Sequence, residues 1–118
     1  MTNPGEEYRF YRVSLTTPLG EYSLLVREDW HVWDAAQARG IALPALCHQG
    51  RCLTCAGQLE GSGDFDQSDS ATYFPEDREA GFILLCTAKP RSELRIRTHR
   101  QDDMRLFRRR HGLPAPYS

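Results

Sequence analysis

Four cysteines, Cys47, Cys52, Cys55 and Cys86, are the only thiols in this chain. Their spacing is Cys-x4-Cys-x2-Cys, then thirty residues, then the fourth. That pattern suits the thiolate ligands of a [2Fe–2S] cluster and uses every thiol available. With four thiolates in place neither iron keeps an open position, so the chemistry would be exchange of single electrons rather than Lewis-acid catalysis. Three other readings stay open at this point. An even count allows two disulfides. A structural zinc is possible, although zinc ligands usually come as two close pairs. A Cys52/Cys55 redox pair is possible too, but it leaves Cys47 and Cys86 without a role. Residues Met1 to Glu7 carry neither the basic nor the apolar region of an export signal. A cytoplasmic, reducing compartment is therefore expected, which argues against disulfides.

The residues beside these thiols matter next. His48 reads as a surface neighbour of the centre rather than a ligand, because four cysteines already suffice. His31, His99 and His111 read as exposed or structural. Arg51 brings a cation beside Cys52, and a cation near the centre favours its reduced form. Backbone N–H groups from His48 to Thr54 are the expected donors to the sulfurs, with the Thr54 hydroxyl as a possible addition. Gly50 supplies permissive backbone where the loop must wrap tightly.

The chain has 118 residues, enough for one domain with a modest core. Its net charge of −1 is uninformative, but the distribution is not. Residues 57–80 carry Glu60, Asp64, Asp66, Asp69, Glu76, Asp77 and Glu79 against Arg78 alone. Residues 89–118 carry Lys89 and eight arginines against Glu93, Asp102 and Asp103. This polarity reads either as steering toward charged partners or as an ordinary solvated surface. Arg108-Arg109-Arg110 is too short a run to argue nucleic-acid binding. It reads as a tail that docks on a partner or folds onto the acidic loop at Asp64–Asp69. No apolar run approaches the roughly eighteen residues of a membrane span.

Elements that would position the cysteines follow from periodicity. Tyr11, Val13 and Leu15 alternate with polar residues, as do Tyr22, Leu24 and Val26, around a turn at Pro18-Leu19-Gly20. This predicts a hairpin. Asp29 is expected to cap a helix from Trp30 to Arg39, with Val32, Ala35 and Ala36 inward and Gly40 as its stop. Trp30 and Trp33 read as packing residues rather than an electron path. Residues 45–55 form an irregular loop. Short strands are expected at Cys55–Leu59 and Phe82–Cys86, with a half-wet strand at Leu94–Thr98. Gly61–Gln67 reads as loop, and Ser70–Phe74 as one helical turn ended by Pro75. A helix is expected over Asp102–Arg110, with Met104 and either Leu106 or Phe107 inward. Pro114 and Pro116 predict an extended or disordered end. The fold class is α+β, one helix across a small mixed sheet.

Read together, these stretches resemble the plant- and cyanobacterial-type [2Fe–2S] ferredoxins. The matching residues are Leu15-Thr16-Thr17-Pro18, Gly40-Ile41-Ala42-Leu43-Pro44, Cys55-Ala56-Gly57, Asp66-Gln67-Ser68-Asp69, Glu79-Ala80-Gly81-Phe82 and Thr98-His99. They occur in family order around all four cysteines. The resemblance implies a β-grasp fold and a [2Fe–2S] cluster bound by Cys47, Cys52, Cys55 and Cys86. It implies a soluble, non-enzymatic one-electron carrier between a reductase or photosystem and acceptor enzymes. Partners would be redox proteins, with no nucleic acid and no membrane span, and the chain would be a monomer. A metal-stabilised interaction module without redox function is the alternative. The domain limits read as a flexible N-terminus over 1–7, the ferredoxin-type domain over 8–104, and a basic C-terminal extension over 105–118.

Departures from the family pattern are specific. Leu46 stands where the family usually has Ser, and His48-Gln49-Gly50-Arg51 where it usually has Arg-Ala-Gly-Ala. One residue is inserted near Gly61–Phe65. Photosynthetic members use an aromatic and a glutamate to exchange electrons with ferredoxin–NADP reductase, and Thr72 and Gln101 occupy those positions. The chain also continues past Met104. These features suggest an alternative, extended member rather than the main photosynthetic carrier.

Overall fold

The hairpin forms as its alternation requires. A computed structural model describes residues 7–45 and 53–116; residues 1–6, 46–52 and 117–118 lie outside the described residues. Leu46, Cys47, His48, Gly50, Arg51 and Cys52 are therefore among those not described. Strand β1 (Phe10–Thr17) pairs antiparallel with β2 (Gly20–Arg27), with Val13 opposite Leu24 and Tyr11 opposite Val26. The Thr17 hydroxyl ties the turn, accepting from the Leu19 N–H at 3.1 Å and donating to the Gly20 carbonyl at 2.9 Å. Val13, Leu15, Leu24 and Val26 are buried and the alternate residues face water. Each such aliphatic side chain stabilises the fold by about 1.5–3 kcal/mol.

Helix α1 (Val32–Ala38) begins two residues later than its pattern predicts. Asp29 does not cap it, because its carboxylate is taken by Arg27, with Nη2 2.8 Å from Oδ2. Trp30 stays outside the helix and partly exposed, edge-on to Phe10 at 5.7 Å. Trp33 packs against the core and donates from Nε1 to the Leu43 carbonyl at 3.0 Å. Gly40 ends the helix at φ +75°, a conformation that favours glycine.

Strand β3 (Ala56–Leu59) follows the cluster loop, and β4 (Phe65–Asp66) interrupts a stretch that the sequence presents as loop. Helix α2 (Pro75–Glu79) begins where Pro75 was expected to end a helical turn. Proline at the first helical position loses no hydrogen bond, and Asp77 Oδ2 accepts from the Phe74 N–H at 2.9 Å. Strands β5 (Phe82–Leu84), β6 (Lys89–Pro90) and β7 (Leu94–Arg97) precede helix α3 (Gln101–Arg110). That last helix runs without a break past Met104, burying Met104 and setting Phe107 against Phe82 at 5.4 Å, while Leu106 is exposed.

The main sheet has five strands in the order β2-β1-β7-β3-β5. Strand β7 runs parallel to β1 with Leu15 opposite Ile96, and β3 is antiparallel to both β7 and β5. A second, two-stranded sheet pairs β4 with β6. This is the α+β, β-grasp arrangement the resemblance implies. One glycine is dictated by the sheet itself. A Cβ on Gly57 would lie 2.7 Å from Ile96 Cγ2 and 3.0 Å from the Arg97 carbonyl oxygen. Only glycine lets β3 sit flush between its neighbours.

Candidate metal centre

Cys55 immediately precedes β3 and Cys86 closely follows β5, and these two strands are neighbours with Ala56 opposite Leu84. Sheet pairing therefore joins thiols that are thirty-one residues apart in sequence. Their sulfurs lie 2.8 Å apart, and both side chains are buried. A disulfide would need about 2.05 Å, so the pair is two convergent thiols rather than a bridge. Leu53, Ala56 and Leu85, which flank these cysteines in the chain, are essentially inaccessible. Two buried soft sulfur donors suit an iron–sulfur cluster. Cys47 and Cys52 lie outside the described residues. Among the described residues no group of three potential ligands assembles.

Leu53, between Cys52 and Cys55, adopts φ +67° although it is fully buried. A non-glycine residue there is uncommon and carries backbone strain. The Thr54 hydroxyl does not point to a described sulfur. It accepts instead from Arg105 Nη2 at 3.2 Å, so helix α3 reaches the cluster loop.

The residue that most directly holds the Cys86 segment is one the sequence reading quoted only as part of a motif. Gln67 is buried, and its Oε1 accepts from the Leu84 N–H at 2.6 Å. Its Nε2 donates to Ser70 Oγ at 2.8 Å and Thr87 Oγ1 at 3.2 Å. One amide thus fixes both sides of Cys86. The flanking acids are held as well. Asp66 accepts from the Ser68 N–H at 2.7 Å and pairs with Arg91 at 3.0 Å. Ser68 and then Arg91 hold its carboxyl down to about 2. Asp69 is held below the usual carboxylate range by His31 first and Lys89 second, at 2.8 and 3.0 Å.

The three described histidines have structural partners. His31 meets Asp69, His99 Nδ1 lies 2.7 Å from Thr98 Oγ1, and His111 stacks on Phe107. The contrast between an acidic middle and a basic end is largely spent within the molecule. Glu60 pairs with Arg97, Asp64 with Arg78, Asp66 with Arg91, and Asp69 with Lys89. The expected cover of Asp64–Asp69 by the arginine run is not what forms. Arg108 is instead wholly buried in a bidentate pair with Asp77, at 3.0 Å (Nε–Oδ1) and 2.8 Å (Nη2–Oδ2). Its remaining N–H groups reach the Pro114 carbonyl at 2.9 Å and the Thr72 carbonyl at 3.2 Å. Residues 111–116 thus lie against the helix rather than trailing away as an extended end.

Residues 19–91 match the 2Fe-2S iron-sulfur cluster binding domain family. The chain belongs to that family. It is 47% identical over 76 residues to ferredoxin-2 of Synechococcus sp., covering 64% of this chain and 71% of that protein. It is 32% identical over 95 residues to chloroplastic ferredoxin-6 of Zea mays, covering 80% of this chain and 61% of that protein. Among solved structures, pectocin M2 superposes with a TM-score of 0.72 at 30% identity, over 80% of this chain and 34% of that one. The ferredoxin reductase in carbazole 1,9a-dioxygenase superposes with a TM-score of 0.61 at 28% identity, over 78% of this chain and 28% of that one. This chain thus spans only about a third of the length of those structures. The cofactor of this domain is a [2Fe–2S] cluster, and the domain is an electron-transfer unit of the ferredoxin type. No described helix is long and apolar enough to cross a membrane.

Proposed function

We propose that Cys47, Cys52, Cys55 and Cys86 are the four ligands that would hold the cluster. The observation that carries this is the convergence of the Cys55 and Cys86 sulfurs at 2.8 Å across neighbouring strands. Cys47 and Cys52 enter by their spacing. The cluster, when bound, supplies a site that gains and loses one electron. The residues of the chain do the rest. Leu53 and Leu85 keep water away, and Gln67 keeps the Cys86 segment in register.

The carrier is proposed to work in the cytoplasm, as a monomer, between a reductase and acceptor enzymes. Reductases among the solved relatives support a client of that kind. The working unit extends from residue 8 through α3 to Pro116, because Arg108 and Arg105 bind the last residues back onto the domain. Exchange with a ferredoxin–NADP reductase is proposed to be slow, since Thr72 and Gln101 replace an aromatic and a glutamate. Gln101→Glu should restore part of the rate in a cytochrome-reduction assay.

Single Cys→Ser substitutions at all four positions test the ligand set. Each variant should lose the visible absorption that dithionite bleaches in the wild type. Any one that keeps the full spectrum and iron content removes that cysteine from the set.

A further inference from the structure

We propose that the groove between β2 and helix α1 is an attachment site for a partner protein, which adds an extended segment to the open edge of the sheet. The site stands apart from the metal centre. Strand β2 ends the five-stranded sheet, and no described strand lies beyond it. The Glu28 N–H donates to the Arg9 carbonyl at 2.9 Å, which sets the hydrogen-bonding phase of the hairpin. Opposed residues of an antiparallel pair alternate between bonded and non-bonded. Tyr22, Leu24 and Val26 therefore bond to β1, while Glu21, Ser23 and Leu25 turn their N–H and C=O groups outward. An edge of eight residues left open in this way is a template for another chain.

What lies beside the edge selects the occupant. A groove of about 510 Å³ is lined by Leu25, Trp30, Ala35 and Ala38, with Asp34 and Arg39. Leu25 and Trp30 are exposed, and the two alanines sit one turn apart on α1, leaving room for incoming side chains. Asp29 is taken by Arg27, and His31 by Asp69. Asp34, on the first turn of α1, and Arg39, at its end, are exposed. The occupant is therefore an extended segment of alternate aliphatic residues, with a basic residue for Asp34 and an acidic one for Arg39. Backbone pairing supplies affinity in such a mode, and the side chains supply selectivity. Strand β3, which Cys55 precedes, lies three strands away from β2, about 14 Å at ~4.8 Å per strand. A partner held on β2 leaves the cysteine end of the sheet open to electron exchange, at a raised effective concentration.

The test is an NMR titration of the isotope-labelled, cluster-loaded protein with the capped pentapeptide Lys-Val-Thr-Val-Glu. Shifts should saturate with a Kd below about 1 mM, centred on the Glu21, Ser23 and Leu25 amides and on α1. The same peptide with its internal amides N-methylated should bind about tenfold more weakly, because it has lost its backbone donors. Ala38→Gln, which fills the groove from an exposed helix position, should weaken binding to a similar degree. Leu19→Ser, on the hairpin turn, should bind as the wild type does. Absence of saturable shifts on β2 would overturn the proposal, and so would equal binding of the methylated peptide or an unaffected Ala38→Gln. Shifts of the β2 amides with protein concentration alone would also overturn it, since a second copy of this chain would then occupy the edge.

Discussion

Replacing Arg108 by alanine should destabilise this protein far more than any other change in its arginine run. Arg108 and Asp77 are both fully buried and joined by two charge-assisted hydrogen bonds. Removing the cation leaves a carboxylate in the interior with no counter-charge. Breaking one half of such a pair costs about 3–5 kcal/mol. The Thr72 and Pro114 carbonyls add little, because both residues have access to water. At about 4 °C per kcal/mol for a chain of this size, the melting temperature should fall by ~12–20 °C. Calorimetry on the loaded protein, at one fixed scan rate because cluster loss is irreversible, reads the effect. Arg109→Ala is the control, an exposed neighbour expected to change stability by less than about 0.5 kcal/mol. Arg108→Met combined with Asp77→Leu should recover most of the loss, since a buried ion pair contributes little over well-packed apolar groups. If Arg108→Ala melts within a few degrees of Arg109→Ala, the pair is not desolvated and the account of the C-terminal packing is wrong.

Three further outcomes are expected. Cys86→Ser should abolish the cluster's visible absorption and lower thermal stability, because ligand binding is coupled to folding; iron analysis and calorimetry check both. Gly57→Ala should cost about 1–3 kcal/mol by overpacking, since its Cβ meets Ile96 and the Arg97 carbonyl, and a shift in denaturation midpoint measures it. Asp66, whose carboxyl is lowered from 3.8 to about 2, contributes stability that is present above its ordinary value and lost as pH falls toward 2. The stability gap between wild type and Asp66→Asn should therefore narrow from pH 4 to pH 2, and acid-unfolding curves of the two proteins would reveal a gap that fails to close.

Much of the fold can be read from the residues because local patterns dictate it. Strict alternation in β1, β2 and β7 leaves one burial choice per strand, and the structure takes it. Cysteine spacing points to the cofactor because ligand geometry is a chemical constraint. What could not be read is long-range polar pairing. Three consecutive arginines look alike in sequence, and only the fold brings Arg108 to an aspartate thirty-one residues away. Asp29 looked like a helix cap, but Arg27 competes for the same oxygens. Pro75 looked like a stop because proline ends one helix and opens another with equal ease. Gln67 gave no signal of its own, since an amide's value as a clamp depends on the strand it faces.

The Arg108–Asp77 pair also bears on how the molecule is made. A chain leaving the ribosome exposes Asp77 well before Arg108 has emerged. Until then the helix α2 region would have to bury a charge alone or leave its face open to water. Asp77 can therefore be enclosed with its counter-charge only when α3 has been synthesised and docked. At about 5–20 residues per second, that gap of thirty-one residues lasts a few seconds at most. Within it Phe82 of β5 emerges but is not yet covered by Phe107. Order of synthesis would thus leave Phe82 and its face of β5 open to solvent first, and covered by Phe107 of α3 afterwards.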